Sequence, residues 1–175
     1  MPLPVGHGLL GASVVAALNS QSSKRYFVTL LAGALLANLP DCDFILVFIF
    51  HSKTWHRGFS HSILFGLFVC LILVLSLGKR HLREAISFGL AFTSHGILDY
   101  LTTKKGGGVE LLWPFSSERF VLGWVGLSEM PSTLSDLEIV RTLGVELICF
   151  APLLMLVMGL KIWKARRVSD SPSNT

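Results

Sequence analysis

The pattern of apolar and polar positions divides the 175-residue chain into about five apolar segments separated by polar breaks. Leu3 to Leu18 is short and rich in Gly and Ala, a composition that lets helices approach closely. The second segment is apolar from Tyr26 to Leu39, stops at Pro40-Asp41-Cys42-Asp43, and resumes from Phe44 to Phe50. Proline removes a backbone donor and two carboxylates are costly in hydrocarbon, so the helix must break there. Ser62 to Gly78 carries no charge over 17 residues and is the clearest membrane span. Ala85 to Leu101 would be an ordinary span but for His95 and Asp99, and Thr142 to Leu160 is another that carries Glu146.

Before the last segment lies a long loop, Thr102 to Leu137, marked by Gly106-Gly107-Gly108 and Trp113-Pro114-Phe115. Loops of that length are functional or disordered, and the aromatic residues suit a membrane interface. The expected fold is therefore all-α: a polytopic membrane helix bundle, one membrane-embedded domain over residues 1–167, with a disordered tail at 168–175.

Composition sharpens this. Hydrophobic residues make up 51% of the chain and charged residues 15%, with a mean hydropathy of +0.62. Soluble domains average about 25% charged, so too few groups are available to solvate such a surface. The net charge of +4 comes from small basic clusters beside apolar runs, which set topology and do not form a nucleic-acid patch. Lys24-Arg25, Lys79-Arg80 with Arg83, and Lys161 with Lys164, Arg166 and Arg167 follow alternate segments. Cytoplasmic placement of all three clusters puts nine basic residues inside and six outside (Lys53, Arg57, Lys104, Lys105, Arg119 and Arg141), consistent with a crossing at every segment. No basic residue precedes Val5 to Leu18, so that stretch is expected to be retained and not cleaved as a signal. Cys42, Cys70 and Cys149 are scattered without a CxxC pair, which predicts buried apolar thiols and no disulfide framework.

The same topology gathers seven ionisable groups on one side. His7 opens the first segment, Asp41 and Asp43 end the first run of the second, His56 and His61 precede or open the third, and His95 and Asp99 close the fourth. His95 and Asp99, four residues apart, share one helix face and can hold one cation. Imidazole with carboxylate suits zinc, manganese or iron better than calcium. Asp41 and Asp43 reach from irregular backbone, and His7 sits between Gly6 and Gly8, which leave room for close approach. Taken singly, each has a plainer role: a lone histidine packs and hydrogen-bonds, and an aspartate caps a helix. As a set they point to function, because intramembrane ionisable groups are costly. His81, inside a basic loop, and Glu146, expected to pair within the bundle, stand apart.

The motifs LPDCD at 39–43, HRGFSHS at 56–62, HGILDYLT at 95–102, and LLWPFS with Arg119 beyond it resemble the YdjM-like family of membrane-bound, metal-dependent hydrolases, over about His7 to Arg119. A more distant similarity links the pattern to zinc-dependent phospholipase C, in which a histidine and an aspartate four residues later share a helix. The resemblance implies that His95 and Asp99 are ligands with Asp99 as a bridge. It implies that His7 completes one metal, and Asp41 or Asp43 with His56 or His61 the other. No histidine follows His95, so a third ion lacks ligands. The implied cofactor is one or two divalent transition-metal ions, zinc first.

The implied chemistry is hydrolysis of a phosphoester or other ester of a lipid or lipid-linked substrate by a metal-activated water. Asp41 or Asp43 is the candidate base, and Arg57 and Arg119 the candidates to bind phosphate. The implied location is a bacterial inner (plasma) membrane, with the site on the non-cytoplasmic face. Two other expectations compete: a transporter of metal ions or protons using the same groups, and a non-enzymatic membrane protein with a structural metal. The sequence carries no sign of the oligomeric state.

Overall fold

The computed structural model describes residues 2–20, 25–103, 107–123 and 136–169. Expectations placed on Lys24, Lys104, Lys105 and the tail from 170 onward lie outside the described residues. Within them every regular element is a helix: α1 (Pro4–Leu18), α2 (Tyr26–Leu36), α3 (Phe44–Phe50), α4 (Ile63–Leu77), α5 (Leu82–Thr102) and α6 (Asp136–Ser169). Short 3-10 turns occupy Leu39–Asp43, Lys53–Trp55, Phe59–His61 and Lys79–His81.

The boundaries follow from local chemistry. Pro4 stands in the first turn of α1, where its missing N–H costs nothing. Pro40 sits in the first turn of the 3-10 segment that ends α2 and holds the two aspartates off the helix ladder. The Ser62 hydroxyl accepts from the Phe65 N–H at 3.1 Å and caps α4, which stops at Gly78 with φ at +71°.

Helix α5 lies at the centre and packs against α1, α2 and α4, while α1 also packs against α6. Small residues set these approaches. A Cβ on Gly11 would stand 2.4 Å from the Ala37 Cβ, and one on Gly33 would stand 2.4 Å from a Val15 methyl, so α1 and α2 cross backbone to backbone. The bundle has two distinct polar ends. At one, Asn19 donates to Ser87 at 2.7 Å, Thr29 donates to Glu84 at 3.2 Å, and the Lys161 ammonium reaches the Asn19 carbonyl. At the other meet the start of α1, the end of α2 and the end of α5.

Among the described residues, length and composition qualify one helix stretch, Leu137–Arg167 of α6, as a membrane span. Two bent pairs, Tyr26–Leu36 with Leu39–Phe50 at 42° and Lys53–His61 with Ile63–Leu77 at 54°, raise the number to three if each is one span. This is fewer than the five crossings expected. Helix α1, with 15 residues, rises only about 22 Å against a hydrocarbon core of about 30 Å. Helix α5 has the length, but polar groups interrupt its apolar run. Cys42 and Cys149 are exposed and not buried as expected, because their helix faces look outward.

Candidate functional site

Each functional side chain is placed by a feature of its own element. Glu146, fully buried on α6, accepts from the Gly6 N–H at 2.8 Å and from the Leu3 N–H. It thus holds donors at the start of α1, the Gly6 N–H being shared with the Leu3 carbonyl at 3.1 Å, and fixes the helix turn that carries His7. His95 and Asp99 project from the same face of α5, and both are wholly buried. A Cβ on Gly96 would lie 2.1 Å from the His61 carbonyl oxygen, so only glycine there lets the Phe59–His61 turn rest on α5 beside His95. Arg57, at φ +59°, adopts the left-handed conformation that non-glycine residues avoid at a cost of about 1–3 kcal/mol. That bend turns its backbone N–H onto Asp43 at 3.0 Å and its guanidinium onto Asp99, Nε to Oδ2 at 3.1 Å.

The structure brings all seven histidines and aspartates singled out above into one cluster. The His7 and His95 rings stack with centroids 3.7 Å apart, and His61 meets His95 edge-on at 4.8 Å. His7 Nε2 stands 3.4 Å from Asp99 Oδ1, His95 Nε2 3.3 Å from Asp41 Oδ1, and His61 Nε2 3.5 Å from Asp41 Oδ1 and 3.8 Å from Asp99 Oδ2. All these nitrogens, and the three carboxylate oxygens they face, are buried and make no hydrogen bond among the described residues, Asp99 Oδ2 also forming its ion pair with Arg57. Donors held at about 2.0–2.2 Å from a tetrahedral cation stand about 3.3–3.6 Å from one another. Most of the observed separations fall in that range and exceed ordinary hydrogen-bond lengths of about 2.7–3.2 Å. Two groups have each ligand atom within 4.8 Å of the others: His7 with His95 and Asp99, and Asp41 with His56 and His61. The donor set fits a cation.

Asp43 and Arg119 are used differently. The Asp43 oxygens receive His56 Nδ1 at 2.8 Å, the Ser60 hydroxyl at 2.8 Å and the Arg57 N–H, so this carboxylate orients its neighbours and faces away from the donor group. Arg119 donates to the carbonyls of Thr54 at 2.5 Å and His56 at 3.2 Å and pairs with Glu110 at 3.0 Å, which ties the 107–123 loop to the 52–58 segment. His51 is exposed and outside the cluster, and His81 pairs with Glu84 at 3.1 Å on the other end of the bundle. Sequence reading missed Ser60, the Ala37 carbonyl that His95 Nδ1 meets at 2.6 Å, Glu110 and Gly96. Ser60 and Gly96 adjoin His61 and His95 in sequence, which is the one signal that points to them.

The sequence profile of the YdjM inner membrane protein family matches residues 1–168. The chain belongs to this family. This YdjM-family protein is 39% identical over 115 residues to inner membrane protein YbcI of Escherichia coli (strain K12). The match covers 61% of this chain and 65% of that relative, just under two thirds of its length. No solved structure matches. The family and the apolar α6 place the YdjM-family chain in a membrane.

Proposed function

We propose that the protein is a membrane-bound, metal-dependent hydrolase that cleaves an ester bond, foremost a phosphoester, of a lipid or lipid-linked substrate. The observation that carries this reading is the set of buried imidazole nitrogens and carboxylate oxygens that face one another at 3.3–3.8 Å and, among the described residues, make no hydrogen bond. His7, His95 and Asp99 would hold one ion, and Asp41, His56 and His61 a second. Zinc suits this imidazole and carboxylate mixture, with manganese or iron next. Such ions, when bound, supply a water of lowered pKa and polarise the phosphoryl or acyl oxygen.

The chain's own residues do the rest. Asp99 faces donors of both groups, which suits a bridging role. Asp43 and the Ala37 carbonyl keep rings in place. Arg57, 7% exposed and paired with Asp99, keeps its guanidinium inside the cluster, where it could pair with a substrate phosphate. Arg119, with its donors engaged, supports the loop and leaves that task to Arg57. Asp41 and His56, whose side chains are 17% and 15% exposed, open the cluster to a substrate.

A lipid fits the surroundings. Leu64, Phe65, Leu67, Phe68 and Leu71 of α4, with Trp113 and Pro114, line a wholly apolar groove of about 570 Å³. It starts one turn beyond His61, and Phe59 bridges the two by packing on both Phe65 and Trp113. In the membrane, α1, the α2–α3 pair, α4, α5 and α6 would form five segments with the cluster on the non-cytoplasmic side. The separation of the site from the Lys79–Arg83 end of the bundle supports this orientation.

The test is a lipid-hydrolysis screen on purified protein in detergent. Activity that is abolished by a chelator, restored by zinc and absent in His95→Ala is expected. Full activity after complete chelation contradicts the reading. The 42° break between α2 and the Leu39–Phe50 stretch, placed beside the acidic pair, favours one second reading, transport of metal ions or protons. Zinc or proton flux into vesicles, lost in His95→Ala and without lipid hydrolysis, would select it.

A further inference from the structure

We propose that Ser60 is a positioning residue that fixes the tautomer of His61, with Asp43 as the anchor of the relay. The inference rests on the cation-binding reading above and follows from counting protons. Asp43, as a carboxylate, can only accept. The Ser60 hydroxyl lies 2.8 Å from Asp43 Oδ2, so its single proton is directed there. The same Ser60 oxygen lies 2.9 Å from His61 Nδ1 and must therefore accept. That puts a proton on Nδ1 and leaves the neutral ring with a bare Nε2, which faces Asp41 Oδ1 and Asp99 Oδ2. A lone pair aimed at two carboxylates is unfavourable unless a metal cation, or a second proton on the ring, stands between them.

His95 reaches the same state by another route. Its Nδ1 meets the Ala37 carbonyl, a pure acceptor, and its Nε2 faces Asp41. The two rings therefore present the same nitrogen inward, although their outer partners differ. Ser60 is 7% exposed, so bulk water is poorly placed to substitute for it. Outer partners of this kind change metal affinity by about 10–100-fold when removed. Asp43 also receives His56 Nδ1, and its Oδ2 stands 3.3 Å from His61 Nδ1, so one carboxylate faces both rings and Ser60 makes the shorter contact, 2.9 Å, to the second.

The direct test is nitrogen-15 NMR of the histidine rings in detergent micelles, on protein as purified and after treatment with EDTA and reloading with Zn²⁺. The expected His61 tautomer is Nδ1–H with Nε2 unprotonated. An Nε2–H tautomer overturns the proposal. The second arm measures Co²⁺ affinity and the visible Co²⁺ absorption band in wild type, Ser60→Ala and Ser60→Thr. Ser60→Ala should bind about tenfold more weakly or worse with an altered band, and Ser60→Thr, which keeps the hydroxyl, should stay within about twofold of wild type. Wild-type affinity and spectrum in Ser60→Ala, or equal losses in both variants, overturn it. If wild type binds neither Co²⁺ nor Zn²⁺, the hydrolase reading fails and this proposal with it; metal binding by wild type with an Nε2–H tautomer, or with no change in Ser60→Ala, overturns the proposal alone.

Discussion

Helices α5 and α6 are the two longest in the molecule and invert the usual relation between polarity and burial. Helix α5 carries Ser87, His95, Asp99 and Thr102 and buries all four. The most apolar stretch of α6 has a hydropathy of 2.3, yet only 11% of it is buried. Ile148, Met155 and Leu156 on α6 are 75%, 72% and 59% exposed. In water this arrangement would be unstable on both counts, with apolar surface wetted and polar groups dehydrated. In a bilayer both assignments become favourable: α6 meets hydrocarbon, and the α5 polar groups find partners only inside the bundle. The difference teaches that burial in this protein follows chemistry and partners, with hydrophobicity directing residues outward.

Four substitutions probe this inversion of polarity and burial. Asp99→Ala should have the largest effect. It removes a carboxylate facing His7, His61 and Arg57 and leaves a buried guanidinium without that partner, at a cost of about 3–5 kcal/mol. Equilibrium metal binding should fall beyond detection. On α6, Ile148→Asp should hinder membrane insertion by about 3 kcal/mol, read as the fraction inserted in a glycosylation-type translocation assay. Gly96→Val should force the His61 carbonyl off α5, cost about 1–3 kcal/mol in thermal unfolding and weaken metal binding without removing a ligand. Met155→Leu should change stability by less than about 0.5 kcal/mol, and a larger loss would mean that this α6 face is covered by protein.

Much of this was legible in the sequence, and the gaps have physical causes. The Pro40 break, the charge-free run of α4 and the shared face of His95 and Asp99 follow from covalent geometry and helix periodicity. Which aspartate faces the cluster was not legible, because Asp41 and Asp43 differ only in how the 3-10 turn aims them. Arg119 was a candidate phosphate binder through the family resemblance, and its carbonyl partners come from a loop fold that no local pattern encodes. Ser60 carried no signal of its own, since its role depends on two partners of which one lies 17 residues away. Helix length and the angles of the bends at Leu39 and Ser62 were not legible, because apolar composition counts segments and does not measure how long or how straight each helix is.

The most direct test of the central claim is elemental analysis of the purified protein in detergent, wild type beside Asp99→Ala. The account predicts at least one transition-metal ion per wild-type chain, retained through gel filtration and lost in the variant. Wild-type protein free of transition metal after growth in metal-supplemented medium, and unable to take up Zn²⁺ or Co²⁺, would contradict it.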